Sequence, residues 1–141
     1  MTDAPFRPLP RVTPRTEAFW RGGADGVLAI ARCDDCRYFV HPPGPVCPRC
    51  GCRALTPTAV TGGARVVACT VNHQAWYPGW ETPYVVAIVE LDEQPGLRLT
   101  TNVVDCDPHA VHVGMPVTVR FTPLDDGVWL PLFAPVRDGA P

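Results

Sequence analysis

The sequence contains no lysine; all 12 of its basic residues are arginine. Schiff-base chemistry on a lysine amine is therefore excluded. A run of about 18 apolar residues, which a membrane-crossing helix requires, is also missing. So is any basic excess, because the formal net charge is -2 and the pI is about 6.0. Nucleic-acid binders draw most of their affinity from phosphate contacts and usually present a basic surface, so that class is disfavoured. The opening residues, MTDAPFRPLPRV, lack the basic-then-apolar layout of a signal peptide, and a cytoplasmic location is expected. Long helices are not expected either. With 18 prolines and 12 glycines in 141 residues, the chain predicts turns and short strands. What remains is 46% apolar, enough for the core of one ordinary domain or two small ones.

Against this background stand 7 cysteines. Four of them, Cys33, Cys36, Cys47 and Cys50, form two CxxC pairs in the stretch CDDCRYFVHPPGPVCPRC. In a cytosolic chain such pairs point to metal rather than to disulfides. Two intervening residues let one tight knuckle present both sulfurs to one ion. Four thiolates close a tetrahedral shell and leave no position for substrate, so structural zinc is expected. Iron in a mononuclear site fits the same ligands. Gly51 after the second pair suits the positive φ of a rubredoxin-type knuckle, whereas Arg37 stands at the matching place after the first. Cys52 reads as a bystander thiol, and Cys69 and Cys106 as small buried residues in or beside strands. His41 has no place in a shell that four cysteines complete. A ribbon of about 30 residues buries too little surface to fold alone. Structural zinc contributes about 10–16 kcal/mol in small fingers, enough to decide whether such a segment folds.

Residues 1–12 carry three prolines and read as an extended arm. Thr13-Pro14 opens a helix through Glu17, Phe19 and Trp20 that Gly22-Gly23 stops. So short a helix is not stable alone, and Phe19 and Trp20 must bury against something. A short apolar strand, 27–31, leads into the cysteines. Beyond the ribbon, segments 65–73, 84–92, 97–105, 116–122 and 128–133 are rich in β-branched and aromatic residues. Turn signals separate them, with Asp126-Gly127 marking a hairpin. Five strands so spaced fit a Greek-key barrel of the OB type. The expected architecture is mainly β: an arm and short helix over 1–26, a four-cysteine ribbon over 27–58, and an OB-fold barrel with a tail over 59–141.

The segment HQAWYPGWETPY, residues 73–84, gathers Trp76, Tyr77, Trp80 and Tyr84 between the first two barrel strands. Loops at this position of an OB barrel often bind ligands. It reads either as a loop folded back over the barrel or as an interface anchor, since Trp and Tyr dominate interface hot spots. Base stacking is disfavoured, because the loop holds no lysine and no arginine. His109 and His112 read as surface residues. Glu81, Glu90, Asp92 and Glu93 form no recognisable acid/base pair. No nucleophile motif, phosphate loop or dinucleotide fingerprint is present, and no catalytic residue is assigned.

The Trp-containing helix segment TEAFWRGGADGVLAIARC, the four-cysteine ribbon, PYVVAIVELDE and GMPVTVRFTPLDDGVWLPLFAP follow one another in an order that resembles the DUF35 family. The resemblance covers about residues 13–136. It implies a rubredoxin-like zinc ribbon followed by an OB-fold, with Cys33, Cys36, Cys47 and Cys50 as zinc ligands. It also implies a small partner subunit of thiolase-like enzymes, lipid-transfer-protein-type aldolases, acyltransferases or MaoC-like hydratases acting on acyl-CoA substrates. The partner would supply the catalytic residues, and the chain would stabilise it and either help form its acyl-CoA pocket or bridge consecutive enzymes. Steroid side-chain or lipid degradation is the expected setting. Phe19, Trp20, Tyr38, Phe39, Trp76, Tyr77 and Trp80 are the expected partner or ligand contacts. Two rivals stand beside this reading: a nucleic-acid-binding OB module, and a stand-alone acyl-CoA-binding or hydrolytic protein.

Overall fold

The structure is a computed structural model that describes residues 7–137. The first half of the expected arm and the last residues of the tail lie outside the described residues.

Thr13 and Thr16 begin the helical segment by bonding each other. Thr13 N–H donates to Thr16 Oγ1 at 2.9 Å, and Thr16 N–H to Thr13 Oγ1 at 3.3 Å. Helix α1 then spans Glu17–Arg21. It stops at Gly22, its C-cap, as expected. The chain tightens into a 3-10 turn over Gly22–Asp25 and ends at Gly26, whose φ of 69° a glycine adopts without strain. The glycines serve packing as well: a Cβ on Gly23 would stand 2.7 Å from the Phe121 ring.

Strand β1 covers Leu28–Cys33, β2 Phe39–Val40 and β3 Leu55–Val60. They form one antiparallel sheet in the order β2-β1-β3. The sequence does not announce β3, because Pro57 interrupts it. A proline is tolerated here because β3 is an edge strand. Asp34 N–H donates to the Ala54 carbonyl at 2.9 Å, which sets the phase of the ladder. Ala31 faces Pro57 in the wide-spaced phase, so the N–H that proline lacks belongs to the outer edge.

Five strands follow: β4 Gly63–Asn72, β5 Tyr84–Leu91, β6 Arg98–Val103, β7 Pro116–Pro123 and β8 Trp129–Pro135. They close into a barrel in the order β4-β5-β6-β8-β7, with β6 and β8 parallel at Val103 and Phe133. This is the expected five-stranded OB barrel. Strand β5 shows its logic, because Val85, Ala87, Val89 and Leu91 are buried while the residues between them are half-buried. The β7–β8 hairpin turns where expected, with positive φ at Asp126 (58°) and Gly127 (71°). One core runs through both parts: Phe19, Leu28, Ile30 and Phe39 belong to the same buried cluster as Val66, Val89, Leu99 and Phe133. No helix among the described residues is long and apolar enough to cross a membrane.

Candidate metal centre and the cavity beside it

The two CxxC segments fold into matching knuckles. Arg37 N–H donates to the Cys33 carbonyl at 3.0 Å, and Gly51 N–H to the Cys47 carbonyl at 2.8 Å. Arg37 takes a φ of 67° and Gly51 one of 78°. The first knuckle thus reaches glycine's geometry with an arginine. The four cysteine sulfurs lie within 4.8 Å of one another. Cys33 and Cys50 face each other at 3.5 Å, and Cys36 and Cys47 at 3.6 Å. Tetrahedral coordination at about 2.3 Å per sulfur requires sulfurs about 3.8 Å apart, so this set fits one ion with little adjustment.

The electrostatics favour a cation as well. The backbone N–H of Cys36, 3.5 Å from the Cys33 sulfur, draws that thiol from 9.0 down to about 6 against the cost of burial. At Cys50 the Cys52 N–H works in the same direction, but the facing Cys33 sulfur and burial outweigh it and push the thiol up to about 12. One thiolate therefore opposes the next. A dication in the middle reverses that opposition and holds all four ionised. Cys52 and His41 stand outside the cluster. Cys69 is exposed and Cys106 half-buried, so the expectation of burial is corrected for Cys69. The β-bulge between Val66 and Ala68 turns Cys69 to the face of its buried partner Ala87, but β7 pairs only with Gly63–Arg65, so the far half of β4 has a strand on one side alone and Cys69 stays open. His109 and His112 are exposed, as expected.

Beside the cluster lies a cavity of about 600 Å³ on the outer face of β5, β6 and β8. Val86, Thr100, Asn102 and Leu130 form part of its floor, Phe19 and Trp20 of α1 one wall, and Trp80 and Tyr84 another. His41, Pro42 and Pro43, from the loop between the knuckles, complete it. Arg7 and Arg98 also line it, and no carboxylate does. The Arg7 guanidinium stands 5.3 Å from the centre of the Trp80 ring, so the arm supplies the cation that the aromatic loop lacks. Burial holds the His41 imidazole below its ordinary value. An apolar pocket of this size with a few cationic groups is suited to a small amphipathic anion.

The expected contact residues divide into groups. Trp76 is 68% exposed and Tyr77 is 36% exposed at the loop tip. Trp20 and Trp80 are half-buried in the cavity wall, and Tyr38 is half-buried with the Arg49 guanidinium 5.7 Å from its ring centre. Phe19 is buried and looks into the cavity. Phe39 is a correction: its ring is buried in the core under the Arg32 guanidinium, not presented at the surface. The reason is Gln94, in the turn between β5 and β6, whose amide grips the Phe39 backbone. Gln94, Arg7, Arg98 and the outward positions of β5 and β6 were not singled out from the sequence. Alternation in β5 and β6 marks residues 86, 98, 100 and 102 as outward, but no local pattern says what covers them.

A metal-binding cysteine ribbon fused to a five-stranded OB barrel defines a class of two-part β proteins. Residues 20–56 match the family model described as "ChsH2, rubredoxin-like zinc ribbon domain". Residues 58–122 match the one described as "ChsH2, C-terminal OB-fold domain". The chain is 35% identical over 107 residues to a "DUF35 domain-containing scaffold protein" of Methanocaldococcus jannaschii, covering 72% of this chain and 74% of that one. It is 41% identical over 131 residues to the "Probable enoyl-CoA hydratase alpha subunit" of Thermomonospora curvata. That alignment takes in 92% of this chain, which spans 40% of the relative's length. A solved structure titled "Ltp2-ChsH2(DUF35) aldolase" superposes with a TM-score of 0.78 at 39% identity, over 90% of this chain and 98% of that one. The chain belongs to the DUF35 family.

Proposed function

We propose that this chain is a non-catalytic subunit that binds and stabilises a thiolase-like enzyme, a thiolase, aldolase or acyltransferase, in acyl-CoA metabolism. Steroid side-chain or lipid degradation is its setting. The observation that carries the reading is the match to the chain of the aldolase structure, which spans 98% of that chain at 39% identity. Cys33, Cys36, Cys47 and Cys50 would hold structural zinc, whose closed shell supplies folding energy and no catalysis. The exposed Trp76 and Tyr77 suit the anchor role at an interface. The cavity, apolar with Arg7, Arg98 and His41 in its lining, suits a share of an acyl-CoA site.

The nucleic-acid alternative meets an obstruction. The face of an OB barrel that carries oligonucleotides is the second and third strands. Here α1 and His41–Pro43 wall that face.

The test is co-expression with a thiolase-like enzyme of the same organism, a neighbouring gene's product first, followed by size exclusion and acyl-CoA turnover. The expected result is one co-eluting complex, with the enzyme unstable or weakly active alone and Trp76→Ala weakening the complex. Separate elution with a fully active lone enzyme overturns the reading. Turnover of acyl-CoA by the isolated chain would favour the stand-alone alternative instead.

A further inference from the structure

The loop that walls the cavity is tied at both ends by the metal site. Cys36 and Cys47 bracket residues 37–46, and their sulfurs stand 3.6 Å apart. His41, Pro42 and Pro43, in the middle of that loop, line the cavity. The His41 ring rests on Phe19 with centroids 4.8 Å apart, and Phe19 meets Trp20 edge-on at 4.8 Å. A continuous set of contacts therefore runs from the cysteine cluster to two aromatic residues of the cavity wall. Apart from the cluster, the loop is held near its start alone, by strand β2 with its buried Phe39 and Val40, by the Gln94 amide and by the Arg32 bond to the residue 37 carbonyl. The other side of the cavity is built differently. Strands β5, β6 and β8 pair within the closed barrel, and none of the cluster cysteines lies on them.

We propose that metal loading sets the shape of the cavity: the bound ion fixes loop 37–46, and through His41 and Phe19 it fixes Trp20. The metal-free chain keeps its barrel and loses this wall. The physical cause is loop closure. Holding the ends of the loop together costs entropy, which the four thiolate–metal bonds overcome and a two-residue strand does not. The helix cannot compensate, because five residues have no stability of their own. Its far end stays anchored, where Arg21 Nη1 donates to the Asp126 carbonyl at 2.6 Å. Release is thus confined to the side facing the cavity. The inference deepens the proposed acyl-CoA role and rests on it only in what the cavity would hold.

The sequence supplies its own reporters, because it has 4 tryptophans. Trp20 and Trp80 line the cavity, Trp129 begins β8, and Trp76 is exposed. The full chain labelled with 5-fluorotryptophan would be followed by fluorine NMR, zinc-loaded and after chelation under reducing conditions, with signals assigned from single Trp→Phe variants. Chelation is expected to shift and broaden Trp20 and to leave Trp76 and Trp129 in place. Backbone hydrogen exchange should accelerate about tenfold or more over 37–46 and change less than about twofold over β5. Readdition of zinc should restore both. A Trp20 signal indifferent to the metal overturns the proposal. Collapse of every signal to unfolded positions also overturns it, since the barrel would then need the ion. No partner enzyme enters this measurement. A chain that binds none would defeat the subunit reading and leave this result standing.

Discussion

The side chain of Gln94 pairs with the backbone of Phe39 as another strand would. Phe39 N–H donates to Gln94 Oε1 at 2.8 Å, and Gln94 Nε2 donates to the Phe39 carbonyl at 3.0 Å. The two residues are 55 positions apart, so this clamp joins ribbon to barrel. Gln94→Ala would leave both backbone groups of a buried residue unpaired. Each such group costs about 1–3 kcal/mol. A loss of stability in that range or above it is expected in urea unfolding, with metal content unchanged. A variant as stable as the parent would show that water replaces the clamp without cost.

Arg37 carries the left-handed backbone that Gly51 carries in the second knuckle. A side chain in that conformation costs roughly 1–2 kcal/mol relative to glycine. Arg37→Gly should therefore raise stability by about 1 kcal/mol, part of the gain being returned as greater freedom in the unfolded chain. The Arg32 Nε bond to the residue 37 carbonyl, at 2.7 Å, uses only backbone on that side and should survive. Thermal unfolding with zinc present measures the difference.

His41 titrates below its ordinary 6.5 because burial disfavours its charged form. The sign follows directly. As pH falls below 6.5 the unfolded chain takes up the proton first, so stability falls with pH until the folded chain is protonated too. The cations Arg7, Arg15 and Arg98 line the cavities that His41 borders; Arg98 is paired with Glu90 at 3.3 Å, and no carboxylate lines either cavity. His41→Gln should flatten the stability–pH curve below 6.5 while metal remains bound. A variant whose curve keeps the parent's slope would assign that slope to other groups.

Cys47 is buried at the centre of the ribbon. Cys47→Ser removes one of four sulfurs and should abolish stoichiometric zinc. Without binding energy of that kind, about 10–16 kcal/mol in small fingers, the knuckles and loop 37–46 should lose their order. The barrel strands should persist in hydrogen exchange. A zinc-replete, fully folded Cys47→Ser chain would contradict the ligand assignment.

Much of this was legible in the sequence, and the reason differs from part to part. The barrel strands carry a local signal, seen in β5, where inward and outward residues alternate without interruption. The cysteine cluster is legible because its geometry is spacing. Strand β3 was hidden by Pro57, whose cost depends on which edge its nitrogen faces. Phe39, following Tyr38 in a cysteine loop, looks like a surface aromatic, and only a glutamine from a distant turn draws it inward. Cys69 escaped because β7 leaves β4 after Arg65, and no local pattern announces where a neighbouring strand ends. The cavity is assembled from the arm, the helix, the ribbon loop, the aromatic loop and three strands. No stretch of sequence contains it.

Pro57 carries one more implication. The outer rim of the three-stranded sheet has hydrogen-bond donors at residues 55 and 59, with none between them. A foreign chain laid along that rim would lose a ladder bond at the middle, which disfavours extending the sheet there. The β3 edge is thereby a poor template for stacking into aggregates. Whatever docks on this side must recognise it by shape and side-chain chemistry, which makes its choice of associate selective.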